Sequence, residues 1–330
     1  MIRIGILGAA EIAHRMFLPA LKEWPELFCV GVAANDFDPS DKKKRFSDDF
    51  GVTIYDEPDS FLHLLEREDV DAVYLPLPPA LHYEWAKRAL EHGKHVFLEK
   101  PSTHRYVLTR DLVSLAAEKS LAIHENYMFS YHAQLTAIRD LLDAGTIGDL
   151  CSVRAAFGFP LRAQNDFRYR RELGGGALLD CGGYVVKLAS LLLGPDLKLE
   201  SATRGVRDGY EVDMFGSVHF SNSGGLSYQG AFGMDCHYQC SLELWGQTGK
   251  LTAGRIFTAP PGFSPPLFLE TAEGRKELTL PSDNHFSKSI GEFLRAIEDK
   301  DRRSLLAEDM LRQAKLIDEI ERYTGEGRRI

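Results

Sequence analysis

The residues best suited to chemistry form two pairs, of which the first is Glu99-Lys100, followed by Pro101. The pair ends a short apolar run that begins at Val96, which is typical of a buried parallel strand. Such a strand delivers its last residues to the carboxyl edge of the sheet, where ligands bind in open α/β proteins. We therefore expect this acid and lysine to act on a bound ligand. A surface ion pair at a strand end is the simpler alternative.

The second pair is Asp180 and Tyr184, which lie four positions apart behind Gly174-Gly175-Gly176. Residues with that spacing share one face of a helix. Three glycines before a helix free backbone amides for an anion or an oxygen-rich ligand. The pattern therefore predicts a ligand-binding helix start. The alternative is a core helix whose tyrosine hydroxyl bonds to a carbonyl group.

A third stretch, residues 8–13, follows the first predicted strand with the pattern G-x-A-x-x-A. Gly8 permits a tight turn, the small Ala10 lets the backbone approach a pyrophosphate, and Ala13 lets helix and sheet pack closely. The helix N-terminus then faces the anion. A tight turn that binds nothing is the alternative. We expect a dinucleotide to contact this turn through Gly8, Ala10, Glu11 and Ile12.

An acid follows at the distance that ribose binding requires. Asp36 lies 23 positions after Ala13, close to the roughly 20 expected of a residue that binds the adenosine ribose. Asn35 and Asp36 favour the free 2′-hydroxyl of NAD over the 2′-phosphate of NADP. The lysines at 42–44 could bind that phosphate instead, or simply begin a solvated helix. NAD is therefore the favoured cofactor and NADP the alternative.

Later segments add candidate cofactor contacts. Leu77 lies in a proline-rich crossing, residues 75–79, whose prolines end strand pairing and suit a loop that covers a cofactor. His82 begins the following helix, where it either contacts the dinucleotide or is satisfied within the first helical turn. The remaining predicted contacts lie just past the fifth and sixth strands and are Glu99, Lys100 and Asn126.

Composition restricts the class of protein. The 330 residues, 44% apolar and 26% charged, suit two globular domains. A net charge of -9 and no basic run longer than residues 42–45 argue against nucleic acid and favour a small-molecule partner. The N-terminus enters a strand at once, and no long apolar run follows, so we expect no signal peptide, no membrane span and a cytoplasmic location.

Cysteine usage signals neither a disulfide framework nor a zinc site. The five cysteines are odd in number and include no C-x-x-C pair. A partial metal cluster of Cys236, His237 and Cys240 is the alternative, although the alternating pattern around it predicts a strand. We therefore expect no metal.

The elements that must position these residues fall into two groups. Up to residue 126, strands alternate with helices, which predicts an α/β domain with a doubly wound parallel sheet. The first helix should begin near Glu11 and be kinked or ended by Pro19. The expected strands are 2–7, 28–33, 52–55, 72–75, 95–98 and 121–125, and the expected helices include 60–68, 82–91 and 105–119.

From residue 127 onward, short strands of period 2 predict an α+β domain with a large, mostly antiparallel open sheet. We therefore predict a dinucleotide-binding domain over 1–126 and a domain for substrate binding and oligomerisation over 127–330. The expected strands are 150–159, 198–205, 211–220, 226–234, 239–245, 250–256, 267–271 and 276–280, and the expected helices include 133–144, 285–299 and 305–323.

Residues 8–13, Glu99-Lys100-Pro101 and residues 174–184 together resemble the glucose-fructose oxidoreductase / inositol dehydrogenase / rhizopine catabolism (Gfo/Idh/MocA) family, nearly end to end. The resemblance implies a Rossmann domain followed by a domain whose open sheet often forms an oligomer interface, here a dimer or tetramer, with the substrate cleft between the domains. It also implies that Lys100 lies beside nicotinamide and substrate, often before a cis peptide bond to Pro101.

Tyr184 departs from the many family members that carry histidine at this position. Together with Phe167-Arg168-Tyr169 and Ala259-Pro260-Pro261, it is similar to the subgroup of nucleotide-sugar 3-ketoreductases. That subgroup commonly uses NADPH, and Asn35-Asp36 departs from its usual basic residue. The resemblance implies that the substrate is bound by Arg168, Tyr169, Asp180 and Tyr184.

Ketone reduction requires a hydride for the carbonyl carbon and a proton for its oxygen. We therefore expect an NAD(P)-dependent oxidoreductase of a nucleotide-linked keto-sugar, in which Tyr184 is the general acid. Lys100 would orient the carbonyl and favour the phenolate. Glu99 and Asp180 would hold the lysine and the substrate hydroxyls. A dehydrogenase of free sugars or inositols and a non-catalytic dinucleotide-sensing regulator are the alternatives.

Overall fold

In the computed structural model, which describes residues 1–34, 40–325 and 327–329, the first sheet is parallel and has six strands in the order β3-β2-β1-β4-β5-β6. Its central strands are apolar and buried because helices follow most of them and cover both faces. The predicted doubly wound sheet is confirmed. The strands are β1 (Ile2–Leu7), β2 (Leu27–Ala33), β3 (Ile54–Tyr55), β4 (Ala72–Leu75), β5 (His95–Glu99) and β6 (Ile123–Asn126).

Helical structure begins at residue 11 and continues as a π-helical turn, Ala13–Phe17, that leads directly into α1. Proline lacks an N–H and clashes with the carbonyl four residues earlier, so Pro19 interrupts regular helix and α1 ends two residues after it. The helices are α1 (Leu18–Leu21), α2 (Ser40–Phe50), α3 (Ser60–Glu66), α4 (Pro79–Glu91) and α5 (Tyr106–Glu118).

The second sheet has nine strands in the order β14-β13-β12-β11-β7-β10-β9-β8-β15. It is mostly antiparallel, as predicted, and only β7 with β10 and β8 with β15 pair in parallel among the described residues. The strands are β7 (Leu150–Phe159), β8 (Lys198–Val206), β9 (Phe215–Ser221), β10 (Ser227–Met234), β11 (Gln239–Gly246), β12 (Gly249–Gly254), β13 (Leu267–Thr271), β14 (Gly274–Leu278) and β15 (Arg328–Arg329).

Two helices, α6 (Ala133–Asp143) and α7 (Gly183–Leu193), belong with the second sheet. Residues 171–193 are apolar and long enough to span a bilayer by composition alone. However, 83% of the apolar 18-residue window is buried inside the protein, where α7 packs on β7, β9 and β10. A mostly apolar helix that is buried on nearly all sides is the expected core element of such a unit.

The last two helices, α8 (His285–Glu298) and α9 (Lys300–Thr324), correct the predicted domain limits. The chain does change units after Asn126, but residues 286–314 cluster with 1–126, and only 315–330 return to the unit formed by 127–285. The cause is aromatic packing, since the ring centroid of Phe293 lies 5.4 Å from that of Phe97 in β5. The indole of Trp24 also donates to the Ser287 carbonyl at 3.1 Å.

Candidate active site

The turn after β1 has the geometry that a dinucleotide requires. Gly8 has a φ of 107°, and a Cβ at this position would lie 2.9 Å from Cδ2 of Leu77. Helical structure begins at residue 11, and β1 lies where the strand order reverses. Dinucleotides bind at that point of a 3-2-1-4-5-6 sheet, because the bare glycine backbone can approach the pyrophosphate. The structure therefore brings Leu77 to the predicted turn, and the turn fits the cofactor.

The ribose side of this site is only partly described. Asn35 and Asp36 lie outside the described residues, so their contact with a ribose stays a prediction. Glu11 points toward α2, where its carboxylate lies 3.3 Å from Nη1 of Arg45. The lysines at 42–44 belong to the first turns of α2. Contacts of Ala10, Glu11 and Ile12 with a cofactor also stay predictions.

Glu99 ends β5 as a buried carboxyl with two fixed donors. The Tyr74 hydroxyl donates to its Oε1 at 2.7 Å, and the Asn126 side-chain amide donates to the same oxygen at 2.8 Å. Burial raises the pKa of Glu99 despite these hydrogen bonds and the positive charge of Lys100. The following peptide bond, Lys100 to Pro101, is cis, as the resemblance implied. Lys100 therefore follows a residue, Glu99, whose side chain is held by two hydrogen bonds at the end of β5.

Two residues predicted to contact the cofactor have side chains that are hydrogen-bonded to other groups of the protein. Nδ1 of His82 lies 2.8 Å from the Pro101 carbonyl oxygen, and its Nε2 lies 2.8 Å from that of Leu77. The ring is fully buried, so the structure corrects its assignment to the cofactor and favours a structural role. Asn126 is also fully buried, and its polar groups are satisfied there, since its side-chain amide donates to Glu99 and its side-chain oxygen accepts from the Ser289 hydroxyl.

The glycine run of the second unit does not form the anion cradle that the sequence predicted. The amides of Gly174, Gly175 and Gly176 donate to main-chain carbonyls of residues 168–171 at 2.9–3.0 Å. The next two amides, of Ala177 and Leu178, bond to the Asp213 carbonyl and carboxylate, each at 2.8 Å. The run folds back on the preceding turn, so these amides are already used.

Asp180 lies in a π-helical turn, Leu178–Gly182, that runs into α7. Its carboxylate accepts from Nε of Arg168 at 2.7 Å, and Arg168 also lies 3.1 Å from Asp166. Burial lowers the pKa of Arg168, but Asp180 and Asp166 raise it by more, which leaves it above its ordinary value. The structure therefore joins the predicted substrate residues Arg168 and Asp180 as an ion pair. Tyr169, next in the chain, is mostly buried.

Tyr184 begins α7 inside an aromatic enclosure. Its ring centroid lies 5.2 Å from that of Phe157, 5.4 Å from that of Tyr127 and 5.9 Å from that of Phe257. The side chain is mostly buried. Charges act more strongly in such water-poor surroundings than in bulk water, so a nearby charge would act strongly on this phenol, and its role as the proton donor stays a prediction.

Several residues that hold this machinery were missed by sequence reasoning. Tyr74 and Ser289 support Glu99 and Asn126, and Asp213 fixes the start of the tyrosine helix. They lie 25, 163 and 35 positions from the groups that they bond, so no local pattern identifies them. Within the described ranges no group of three or more His, Cys, Asp or Glu side chains could hold a metal ion.

The doubly wound sheet, its glycine turn and the lysine-bearing strand end define a nicotinamide-dependent oxidoreductase. Residues 2–127 match the oxidoreductase family with an NAD-binding Rossmann fold, and residues 135–252 match the GFO/IDH/MocA C-terminal domain. The chain belongs to the Gfo/Idh/MocA family and is an NAD(P)-dependent enzyme.

Individual proteins are also similar to this chain over nearly its whole length. The chain is 42% identical over 328 residues to the dTDP-3,4-didehydro-2,6-dideoxy-alpha-D-glucose 3-reductase of Streptomyces violaceoruber, covering 97% of this chain and 94% of that protein. It is similar to KijD10, a 3-ketoreductase from Actinomadura kijaniata crystallised with NADP and TDP-benzene, with 38% identity, a TM-score of 0.92 and coverage of 100% and 98%. An aldose-aldose oxidoreductase from Caulobacter crescentus, 21% identical, shares the fold, with a TM-score of 0.86 and coverage of 99% and 98%.

Proposed function

We propose that this enzyme reduces the 3-keto group of a dTDP-linked deoxysugar. The observation that carries the proposal is the full-length similarity to 3-reductases of such sugars in a chain that has both Lys100 and Tyr184. A free-sugar dehydrogenase or a dinucleotide-sensing regulator could share the fold. Neither explains why the similarity to the sugar-nucleotide reductases extends over 97% of the chain.

In the proposed reaction the ketone gains a hydride at carbon and a proton at oxygen and becomes a secondary alcohol. The bound reduced nicotinamide supplies the hydride. Tyr184 donates the proton from its hydroxyl, and the Lys100 ammonium orients the carbonyl and stabilises the phenolate that is left. Glu99 holds Lys100, and Asp180, positioned by Arg168, accepts hydrogen bonds from substrate hydroxyls. Solvent then returns the proton to the phenolate.

NADPH is the proposed reductant. The solved structure of KijD10, which is similar to this chain, contains NADP. It therefore does not support the preference for NAD that Asn35 and Asp36 suggested. The basic first turns of α2 supply cations for a 2′-phosphate. A higher kcat/KM with NADH than with NADPH would reinstate the preference for NAD.

We also propose an oligomeric state and a cellular location for this enzyme. Trp245 is 55% exposed in β11, and we expect the open face of the nine-stranded sheet to join copies of the chain as a dimer or tetramer. The absence of nucleic-acid and membrane partners and a cytoplasmic location also remain predictions. Sedimentation of the purified protein tests the assembly.

One experiment tests reaction class, cofactor and substrate together. Thermal unfolding is followed with NADH or NADPH, alone and then with dTDP-sugars, other nucleotide sugars and free polyols. A ligand that binds only the folded state raises its stability by mass action. We expect NADPH and dTDP-sugars to raise Tm and a dTDP-linked 3-keto sugar to oxidise NADPH. Turnover of free polyols without any response to nucleotide sugars would refute the proposal.

A further inference from the structure

Among the arginines of the second unit that the reaction above does not use are Arg162 and Arg255. Both are exposed, and no carboxylate of residues 1–34, 40–325 or 327–329 lies within ion-pair distance of either guanidinium. Arg168 and Arg207 of the same unit are neutralised, since Arg168 pairs with Asp180 and Arg207 pairs with Asp235. In a chain of net charge -9, two uncompensated cations favour an external anion.

The topology places these two arginines at one edge of the nine-stranded sheet. Arg162 follows the end of β7 by three residues, and Arg255 follows β12 directly. Both strands run antiparallel to β11, the single strand between them. At a spacing of about 4.8 Å between neighbouring strands, β7 and β12 lie about 10 Å apart across the sheet. Ser241 pairs with both Ala156 and Gly254, so β7 continues three residues beyond the level at which β12 ends. Both arginines therefore lie beyond the same edge of the sheet, at different heights, which suits an anion with two phosphate groups better than a single small one.

Aromatic rings restrain both cations without neutralising them. The Arg162 guanidinium lies 5.0 Å from the ring centroid of Phe159. That of Arg255 lies 5.4 Å from Tyr238 and 5.9 Å from Phe263, whose side chains are 38% and 37% exposed. A cation over an aromatic face loses conformational freedom but keeps its charge and its outward N–H groups. The arrangement is therefore preorganised for an anion.

The main chain at both positions is fixed from within the same unit. The amide of Arg162 donates to the Tyr169 hydroxyl at 2.7 Å. Arg255 has a φ of 49°, an uncommon conformation for a side chain of this size, and its carbonyl accepts from Gln134 at 3.4 Å. Strained backbone of this kind persists where the surroundings enforce it, and it is found often at ligand sites.

Both arginines are also linked to the aromatic enclosure of Tyr184. Phe157 contacts Tyr184 and, at 6.0 Å between centroids, Phe159, the ring beneath Arg162. Phe257, two residues after Arg255, lies 5.9 Å from the ring of Tyr184. A ligand that touched both arginines would therefore lie at the same end of the sheet as the proposed proton donor.

We propose that Arg162 and Arg255 bind the diphosphate of the nucleotide-linked substrate, an inference that rests on the proposed function. The glycine run cannot do so, because its amides are already bonded. Guanidinium groups donate in a fork that matches phosphate oxygens. The proposal also explains two contacts, because Tyr169 and Phe263, which lies in the segment between β12 and β13, each hold one of the two arginines.

The test measures dTDP binding by calorimetry, without turnover, on the full chain saturated with NADP. Arg162→Met and Arg255→Met keep the length of the side chain and remove its charge. Arg275→Met is the control, because Arg275 is also exposed and lies over an aromatic ring, 4.3 Å from the centroid of Phe268, but is paired with Glu270 at 3.8 Å. Tm values of the variants verify that they fold, and thymidine, which lacks phosphate, reports on the remaining nucleoside contacts.

We expect each substitution at Arg162 or Arg255 to weaken dTDP binding about tenfold or more, with thymidine binding and Tm unchanged. Lysine at either position should restore part of the affinity, and Arg275→Met should bind as the wild type does. Equal dTDP affinity in wild type and in both methionine variants would overturn this inference alone. A wild-type protein that binds no dTDP would overturn both this inference and the proposed function.

Discussion

Asn126 donates from its side-chain amide to Oε1 of Glu99 over 2.8 Å and so ties together the ends of the last two strands of the first sheet. Tyr74 donates to the same oxygen from the neighbouring strand. Glu99 is thereby kept in a buried position next to Lys100. Its carboxyl would not occupy that position without these donors, because an unpaired buried charge is strongly unfavourable.

Replacing Glu99 by Gln should stabilise the protein most at high pH. Burial raises the pKa of Glu99, so its favourable contribution is complete below the unfolded pKa and is lost as pH rises through the folded pKa. Glutamine keeps an oxygen for Tyr74 and Asn126 and carries no charge at any pH. Thermal unfolding from pH 4 to pH 9 should show a Tm difference that grows with pH. A difference that stays constant would contradict this assignment.

Tyr184→Phe should lower kcat by about 10² to 10⁴ and leave Tm nearly unchanged. The ring keeps its contacts with Phe157 and Phe257, while the proton donor is lost. Steady-state oxidation of NADPH provides the measurement, and cofactor affinity serves as the control. Normal turnover in this variant together with no turnover in Lys100→Ala would make Lys100 the acid.

Arg168→Met should lower the free energy of unfolding by about 3 kcal/mol, because it removes the cation that pairs with the largely buried carboxylate of Asp180. Urea unfolding monitors the loss. Adding Asp180→Asn to this variant should recover part of the stability, since the carboxylate of Asp166, 3.1 Å from Arg168 in the wild type, is then the only one of the two that has lost its cation. If the double variant is as unstable as the single one, packing of the arginine rather than charge pairing explains the loss.

Gly183→Ala should both destabilise the protein and reduce turnover. A Cβ at this position would overlap the hydroxyl of Tyr127, whose ring packs against Tyr184. Such overpacking costs about 1–3 kcal/mol, and it displaces the residue next to the proposed acid. Gly224→Ala is the control, since its Cβ would meet only Asn222 Oδ1 at 3.4 Å. Equal Tm and kcat in the two variants would show that Tyr127 moves aside freely.

Local pattern predicted the strands, most helices and the glycine turn, because alternation, apolar runs and turn residues are properties of neighbouring positions. β4, β7 and β13 begin and end at the predicted residues. The sequence placed the start of β9 at 211, four residues too early. Asp213 is used to bond the start of the tyrosine helix instead, and that partner is distant in the chain.

The sequence by itself determined which side chains were available for chemistry: a lysine at a strand end, a tyrosine four residues after an aspartate, and a glycine at the first turn. Only the tertiary structure decided how they are used. It directed His82 to two carbonyl groups, used the amides of Gly174 to Gly176 within their own turn, and brought Ser289 to Asn126 across 163 positions. Buried polar groups form hydrogen bonds with the groups that the fold brings near them. The spacing of residues along the chain does not reveal which groups those are.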